Sequence, residues 1–301
     1  MIVARSTGVP INTERIVPAG TARHGDHLCC AFDSPAQQEE LVIDFVRAGL
    51  EQDDRVWYFA DANEPQYVLD LLREAGMNVD RALDRAQLSV FTAESSYLTD
   101  LPFSPERMLD SVHQAVDDAL AAGYNGMHIL GEMDWATRAV PGAERLEEWE
   151  RLIEGFYAER PVTGLCQFSA SRFDQRRLQG LVDMHPKVAR LPMVSEDGLL
   201  RVTDAGADEE GVPWLRVTGE GDVSSMAVLK QALADARGSG TDVHIDASRL
   251  QFMDLSGARY LIDTAAELGP ERRMVVHQPR RAVRRLFEIL AEFGEAVELV
   301  A

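Results

Sequence analysis

The front of this chain is a succession of short apolar runs, each followed by an amphipathic stretch. That alternation limits the fold more than any other feature. Strands at 27–32, 56–60, 88–92, 126–130 and 164–168 are separated by helical stretches at 35–50, 65–75, 105–122, 143–157 and 174–184. Strands joined by helices lie parallel, and their crossover helices cover both faces of one sheet. The punctuation agrees with this reading. Ser34 caps the first helix, Pro35 takes its first position and Gln37 completes a capping box, while Gly76 and Gly123 stop two later helices. An α/β domain with a parallel sheet is therefore expected over 23–190.

The pattern breaks at 191–198, where Pro192, Ser195, Glu196, Asp197 and Gly198 suggest a linker. Two strands then come close together, at 199–203 and 214–218, on either side of an acidic loop at 204–211. Helix and strand alternate again to the end, with helices at 225–236, 256–268 and 281–291 and strands at 242–246, 273–277 and 297–300. An apolar run at 250–253 leads into Asp254-Leu255-Ser256-Gly257, where a strand meets a helix N-terminus. A second, smaller α/β domain over 199–301 is expected, and 301 residues suit two cores. Residues 1–22 lack the basic start and apolar stretch of a signal peptide and are expected to be a flexible, cytoplasmic tail.

The net charge of −20 opposes nucleic-acid binding, which needs a basic footprint. No apolar run approaches the ~20 residues that cross a bilayer. Three cysteines, Cys29, Cys30 and Cys166, are too few and odd in number for a disulfide framework. Arg280, Arg281, Arg284 and Arg285 open the last helix, where such a run is commonly a solvated face and can also meet an acidic partner.

The second domain resembles the STAS family, the fold of anti-sigma factor antagonists. The resemblance rests on Val217-Thr-Gly-Glu-Gly-Asp222, Phe252-Met-Asp-Leu-Ser-Gly257 and Val283-Arg-Arg-Leu-Phe287. It implies a surface at Asp254, Leu255, Ser256 and Gly257 that docks an anti-sigma factor or another kinase-fold partner. In that family a Ser or Thr commonly follows the motif Asp and is phosphorylated by the partner. Here Leu255 stands in that place and has no hydroxyl. Ser256 is rotated about 100° further around the helix. Leu255 is either an apolar docking contact or a residue that packs locally.

The first domain resembles the MEDS family, a sensory domain first recognised in methanogens, methylotrophs and a dichloromethane-responsive regulator. The residues that carry the resemblance are His27-Leu-Cys29, Tyr58-Phe-Ala-Asp61, Glu64-Pro65, Thr92-Ala-Glu94 with Tyr97, Gly131-Glu-Met-Asp-Trp135, Cys166-Gln-Phe168 and His185-Pro186. The resemblance implies a degenerate relative of RecA/KaiC-type ATPases that senses rather than turns over. The residues after the first strand agree, because Ala31-Phe-Asp-Ser-Pro-Ala-Gln37 lacks the glycines and lysine of a phosphate-cradling loop and Asp33 would repel a phosphate.

Ligands of parallel sheets sit at the carboxyl ends of strands. Asp33, Asp61, Glu94, Glu132 and Trp135 fall there and are candidate ligand contacts, with Glu132 as a cap and Trp135 as core the plainer alternative. His27, Cys29 and Cys166 join them as soft donors. Cys30 can approach Cys166 if their strands pair. The spacing of His24, His27 and Cys29 matches no common zinc pattern, and buried cysteines are usually inert packing, so no metal site is expected and metal, haem or redox sensing is the alternative. No cofactor is identified.

A cytoplasmic signalling regulator of transcription is the expected function. A small-molecule or redox sensor would control a STAS domain that binds an anti-sigma factor or kinase-type partner. An enzyme, either a degenerate nucleotide hydrolase or thiol-based, is the alternative. So is a subunit of a larger STAS assembly, and a homo-oligomer fits either.

Overall fold

The apolar runs of the first half become a seven-stranded sheet in which every pairing is parallel. The computed structural model describes residues 2–3, 10–11, 13–192, 194–196, 199–207, 212–238, 240–290 and 297–300. Two units divide the chain, Met1–Leu191 and Pro192–Ala301.

In the first unit β1 (Ile2–Val3) and β2 (Pro10–Ile11) form a short antiparallel pair. The main elements follow as β3 (Ile16–Val17), β4 (His27–Phe32), α1 (Pro35–Glu51), β5 (Arg55–Ala60), α2 (Pro65–Glu74), α3 (Val79–Asp84) and β6 (Leu88–Thr92). They continue with α4 (Pro105–Ala121), β7 (Met127–Glu132), α5 (Leu146–Glu159), β8 (Val162–Ser169), α6 (Gln175–Met184) and β9 (Lys187–Ala189). The strand order is β3-β9-β4-β8-β7-β5-β6. Ser34 accepts from the Gln37 N–H, and the Gln37 side chain accepts from the Asp33 N–H, so the capping box closes one residue early.

Two cores cover the sheet. Leu28, Cys30 and Phe32 pack with α1, α2 and α3, whereas Cys29, Ala31, Cys166 and Phe168 pack with α4, α5 and α6. The register pairs Cys29 with Cys166. Cys30 therefore faces away from Cys166, and the expected approach of those two thiols does not occur, because neighbouring residues on a strand point to opposite faces.

Residues 13–22 correct the expectation of a tail. Ile16 and Val17 pair with Val188 and Ala189, and Ala19 and Ala22 are buried in the α1 core. Two apolar residues suffice to add an edge strand when β9 offers a free edge.

The second unit contains β10 (Val194–Glu196), β11 (Leu200–Ala207), β12 (Pro213–Gly221), α7 (Met226–Arg237), β13 (Val243–Asp246), β14 (Leu250–Met253), α8 (Leu255–Glu267), β15 (Met274–His277), α9 (Arg281–Leu290) and β16 (Val297–Val300). The order is β10-β11-β12-β13-β15-β16, with β14 pairing the far part of β12. The first three strands are antiparallel and the rest parallel. The expected linker thus supplies an edge strand: residues 194–196 pair with 201–203 and belong to the second sheet. The expected acidic loop begins later than 204, since β11 runs to Ala207, and 208–211 lie outside the described residues. Gly219 (φ +96°) allows β12 to change partner from β13 to β14; a Cβ there would collide with the Leu199 carbonyl.

Candidate functional site

The carboxyl ends of β5 and β7 place a buried glutamate under a loop. Glu132 Oε1 accepts from the Tyr58 hydroxyl (2.5 Å) and Asn63 Nδ2 (2.7 Å), and Oε2 accepts from the N–H groups of Asp61 (2.8 Å), Ala62 (2.6 Å) and Asn63 (3.2 Å). Five donors saturate this carboxylate, which holds the 61–63 turn. Asp61 points elsewhere and pairs with Arg138 (2.5 Å), which also reaches Glu94 (3.1 Å). Burial, aided by Glu94 and Glu132, outweighs Arg138 and pushes Asp61 up to about 6. Asp33 is exposed at the start of α1 and joins none of these groups.

Beside this edge lies a cavity of about 340 Å³. Trp57, Phe59, Phe91 and Tyr97 wall it, and exposed Ser95, Asp100, Arg107 and Ser111 rim it. A narrower slot of about 30 Å³ shares Phe59, Tyr97 and Met108 with the cavity and ends against Trp135, Tyr157 and Cys166. Trp135 is buried core and also a wall of this slot. The Tyr97 hydroxyl and the Trp135 indole N–H are buried and have no hydrogen-bond partner among the described residues. Such polar ends on apolar bodies can orient a small ligand.

Behind the slot, His27, Glu150, Cys166 and His185 place one donor atom each within 4.8 Å of one another, and all four residues are buried. Glu150 Oε2 lies 3.5 Å from His27 Nε2, 3.4 Å from His185 Nε2 and 3.4 Å from Cys166 Sγ, and Cys166 Sγ lies 3.5 Å from His27 Nε2. The far nitrogens of both rings are held from behind, His27 Nδ1 by Glu154 (2.7 Å) and His185 Nδ1 by the Leu181 carbonyl (2.8 Å). Tyr157 stacks on His27 at 4.7 Å between centroids, and it can lie there because Gly164 has no side chain.

Burial would raise Glu150, yet the two histidines outweigh it and hold it down to about 2. Burial would lower His185, yet Cys29 and Glu150 outweigh it and bring it up to about 9. Burial pushes the Cys166 thiol well above its ordinary value and Cys30 up to about 12. Cys29 sits between Cys166, its partner in register, and His185. His24 is elsewhere: with His128 it shares the Asp54 carboxylate, each at 2.8 Å.

Sequence spacing suggested no metal site, but the fold assembles four soft and hard donors from β4, α5, β8 and the end of α6. Glu150 and His185 were not among the sequence candidates. The signal for Glu150 lay in α5, whose inward stripe is Leu146, Trp149, Glu150, Ile153 and Tyr157. A carboxylate within an apolar stripe requires partners. Three stretches that carried the family resemblance, at His27–Cys29, Cys166–Phe168 and His185-Pro186, converge here. Arg138, the cation of the Asp61–Glu94 group, was also missed.

In the second unit Asp254 caps α8 by accepting from the Gly257 N–H (2.8 Å), so the helix N-terminus is met by its own carboxylate. Gly257 is buried against Met253, and Ser256 is exposed. Leu255 is 54% exposed and Phe252 48% exposed, so both present apolar surface to solvent.

Comparison with known proteins covers both units. The MEDS family, described as MEthanogen/methylotroph, DcmR Sensory domain, matches residues 26–186, just over half of the chain. A family described as Mlab, STAS domain matches residues 205–292. The transcriptional repressor DcmR of Methylorubrum extorquens is 24% identical over 169 residues, 56% of this chain and 61% of the repressor. The chain thus spans about three-fifths of that relative's length. Solved structures also overlap the chain. The KaiC-like protein PH0186 of Pyrococcus horikoshii is 9% identical with a TM-score of 0.42 (60% of this chain, 77% of that one). The protein PH0321 of the same organism, in complex with an unknown peptide, is 17% identical with a TM-score of 0.46 (65% and 93%). The flagellar accessory protein FlaH of Methanocaldococcus jannaschii is 10% identical with a TM-score of 0.43 (61% and 78%).

Proposed function

The chain belongs to the MEDS family of sensory domains, and on that premise we propose that it is a signalling regulator of transcription whose sensor controls the docking of a STAS domain on an anti-sigma factor or kinase-fold partner. The observation that carries this reading is the succession of the two domains in one chain. The sensor offers a cavity of small-molecule size, and the STAS domain offers an apolar corner at Phe252 and Leu255. With no hydroxyl at position 255, control comes from the sensor, through a ligand that favours one of two states of the chain. The formal charge of −20 favours a protein partner over DNA. Binding rather than turnover is the mode of action, because the loop after β4 has neither the glycines nor the lysine of a phosphate cradle. Among the described residues no helix is long and apolar enough to cross a membrane.

The test is association of the full chain with a kinase-type anti-sigma protein from the same genome, measured by calorimetry. Binding is expected, and Leu255→Asp should weaken it at least tenfold while changing stability by only about 0.5 kcal/mol, as for other exposed positions. No association with any such protein, or steady nucleotide turnover by the purified chain, would sink the reading.

A further inference from the structure

We propose that His27, Glu150, Cys166 and His185 bind one divalent transition-metal ion of borderline softness, with Zn²⁺ the best fit. The ligand atoms are His27 Nε2, His185 Nε2, Glu150 Oε2 and Cys166 Sγ. This inference goes beyond the regulator reading and is tested without any partner protein.

Most of the distances are those of a tetrahedron. Bonds of about 2.0–2.3 Å from zinc to nitrogen, oxygen and sulfur place the ligand atoms about 3.3–3.6 Å apart. Four of the six separations in this cluster are 3.4–3.5 Å, and all six fall within 4.8 Å. Both rings already present Nε2 inward. A carboxylate behind one and a backbone carbonyl behind the other fix the tautomer that coordinates, the usual outer arrangement of metal-binding histidines.

Polar atoms are left over inside the cluster. Glu150 Oε1 and His185 Nε2 are buried and lack a hydrogen-bond partner among the described residues. The contact of His185 Nε2 with Glu150 Oε2 is a long ion pair of 3.4 Å, and a cation between the two atoms would bond both. Charge also balances. Two neutral imidazoles, one carboxylate and one thiolate carry −2 in total, which a divalent ion neutralises in a buried site. On loading, the Cys166 thiol proton leaves with any proton held by the histidines. Mixed nitrogen, oxygen and sulfur donors exclude Ca²⁺ and Mg²⁺, which take oxygen. The sulfur also borders the aromatic slot, so a small molecule in the slot lies next to a metal ligand.

The experiment strips the full chain with a chelator and titrates it with Co²⁺, then Zn²⁺. One Co²⁺ per chain is expected, with the visible bands of a tetrahedral ion and a near-ultraviolet thiolate-to-cobalt band, both bleached by one equivalent of Zn²⁺. Cys166→Ser should abolish the thiolate band, Cys30→Ser should leave it, and Glu154→Gln should weaken Zn²⁺ binding about 10- to 100-fold. Far-UV circular dichroism confirms that each variant is folded; if Glu150→Gln or His185→Asn unfolds, Cys166→Ser and Glu154→Gln decide. A folded wild-type chain that takes up no Co²⁺, or a thiolate band that survives in Cys166→Ser, overturns the proposal. Neither result would touch the partner measurement, so this proposal and the regulator reading fail separately.

Discussion

Glu132 and Glu150 are both buried, at 2% and 1% exposure, and both sit in the first domain. Their surroundings differ. Glu132 receives five hydrogen bonds, three of them from the backbone of one turn. Glu150 shares one oxygen among two imidazoles and a thiol, and its other oxygen has no hydrogen-bond partner among the described residues. A carboxylate with every lone pair occupied is part of the scaffold. A carboxylate held only by long contacts on one oxygen, with the other oxygen left over, is prepared for something else. Burial alone would not have separated the two.

The largest expected effect tests that contrast. Glu132→Ala leaves five donors without an acceptor and should lower stability by about 3–5 kcal/mol in urea unfolding. The variant should nevertheless keep a response to Zn²⁺, which at a hundredfold excess over its dissociation constant adds about 2.7 kcal/mol. Glu150→Gln should lose that response. If the Glu150 variant keeps it and the Glu132 variant loses it, the contrast is the wrong way round.

Gly164→Ala comes next. The added methyl meets the Tyr157 ring and displaces it from His27, so a loss of about 1–3 kcal/mol is expected together with weaker Zn²⁺ binding. Wild-type stability and Zn²⁺ affinity in this variant would show that the stack supports nothing.

The smallest effect concerns Asp61, at the Glu132 end of the comparison. Its carboxyl holds a proton more tightly folded than unfolded, with about 6 in place of 3.8. Its contribution is therefore complete below about pH 3.8 and is lost as pH rises through about 6. Screening around the half-exposed Arg138 reduces the difference to about 1–2 kcal/mol. Asp61→Asn should flatten the decline in stability between pH 4 and 6 relative to wild type; an unchanged slope would assign it to other groups.

Elements with a full period of side chains were legible in the sequence. The helices α1, α4, α5 and α6 and the strands β4 to β8 each carry an apolar stripe or run and lie within a few residues of their expected places. β3, with two residues, β9, with three, and α3, with six, are too short for a period of 2 or 3.6 to show. The site was legible only in part, for another reason. His27 and Cys166 drew attention as soft donors, but what joins them to Glu150 and His185 is the order β9-β4-β8, which brings together residues up to about 160 positions apart. Nothing local encodes that order. The same holds for Arg138 and Asp61. The second domain's corner could be read further, because the cap, the glycine and the missing hydroxyl are all neighbours in sequence.

Phe59, Tyr97 and Met108 belong to two spaces at once, the larger cavity on one side and the slot that ends at Cys166 on the other. These three side chains act as a party wall. A guest on the outer side would touch side chains that also line the slot ending at Cys166, so the two spaces are separated by a single layer of side chains.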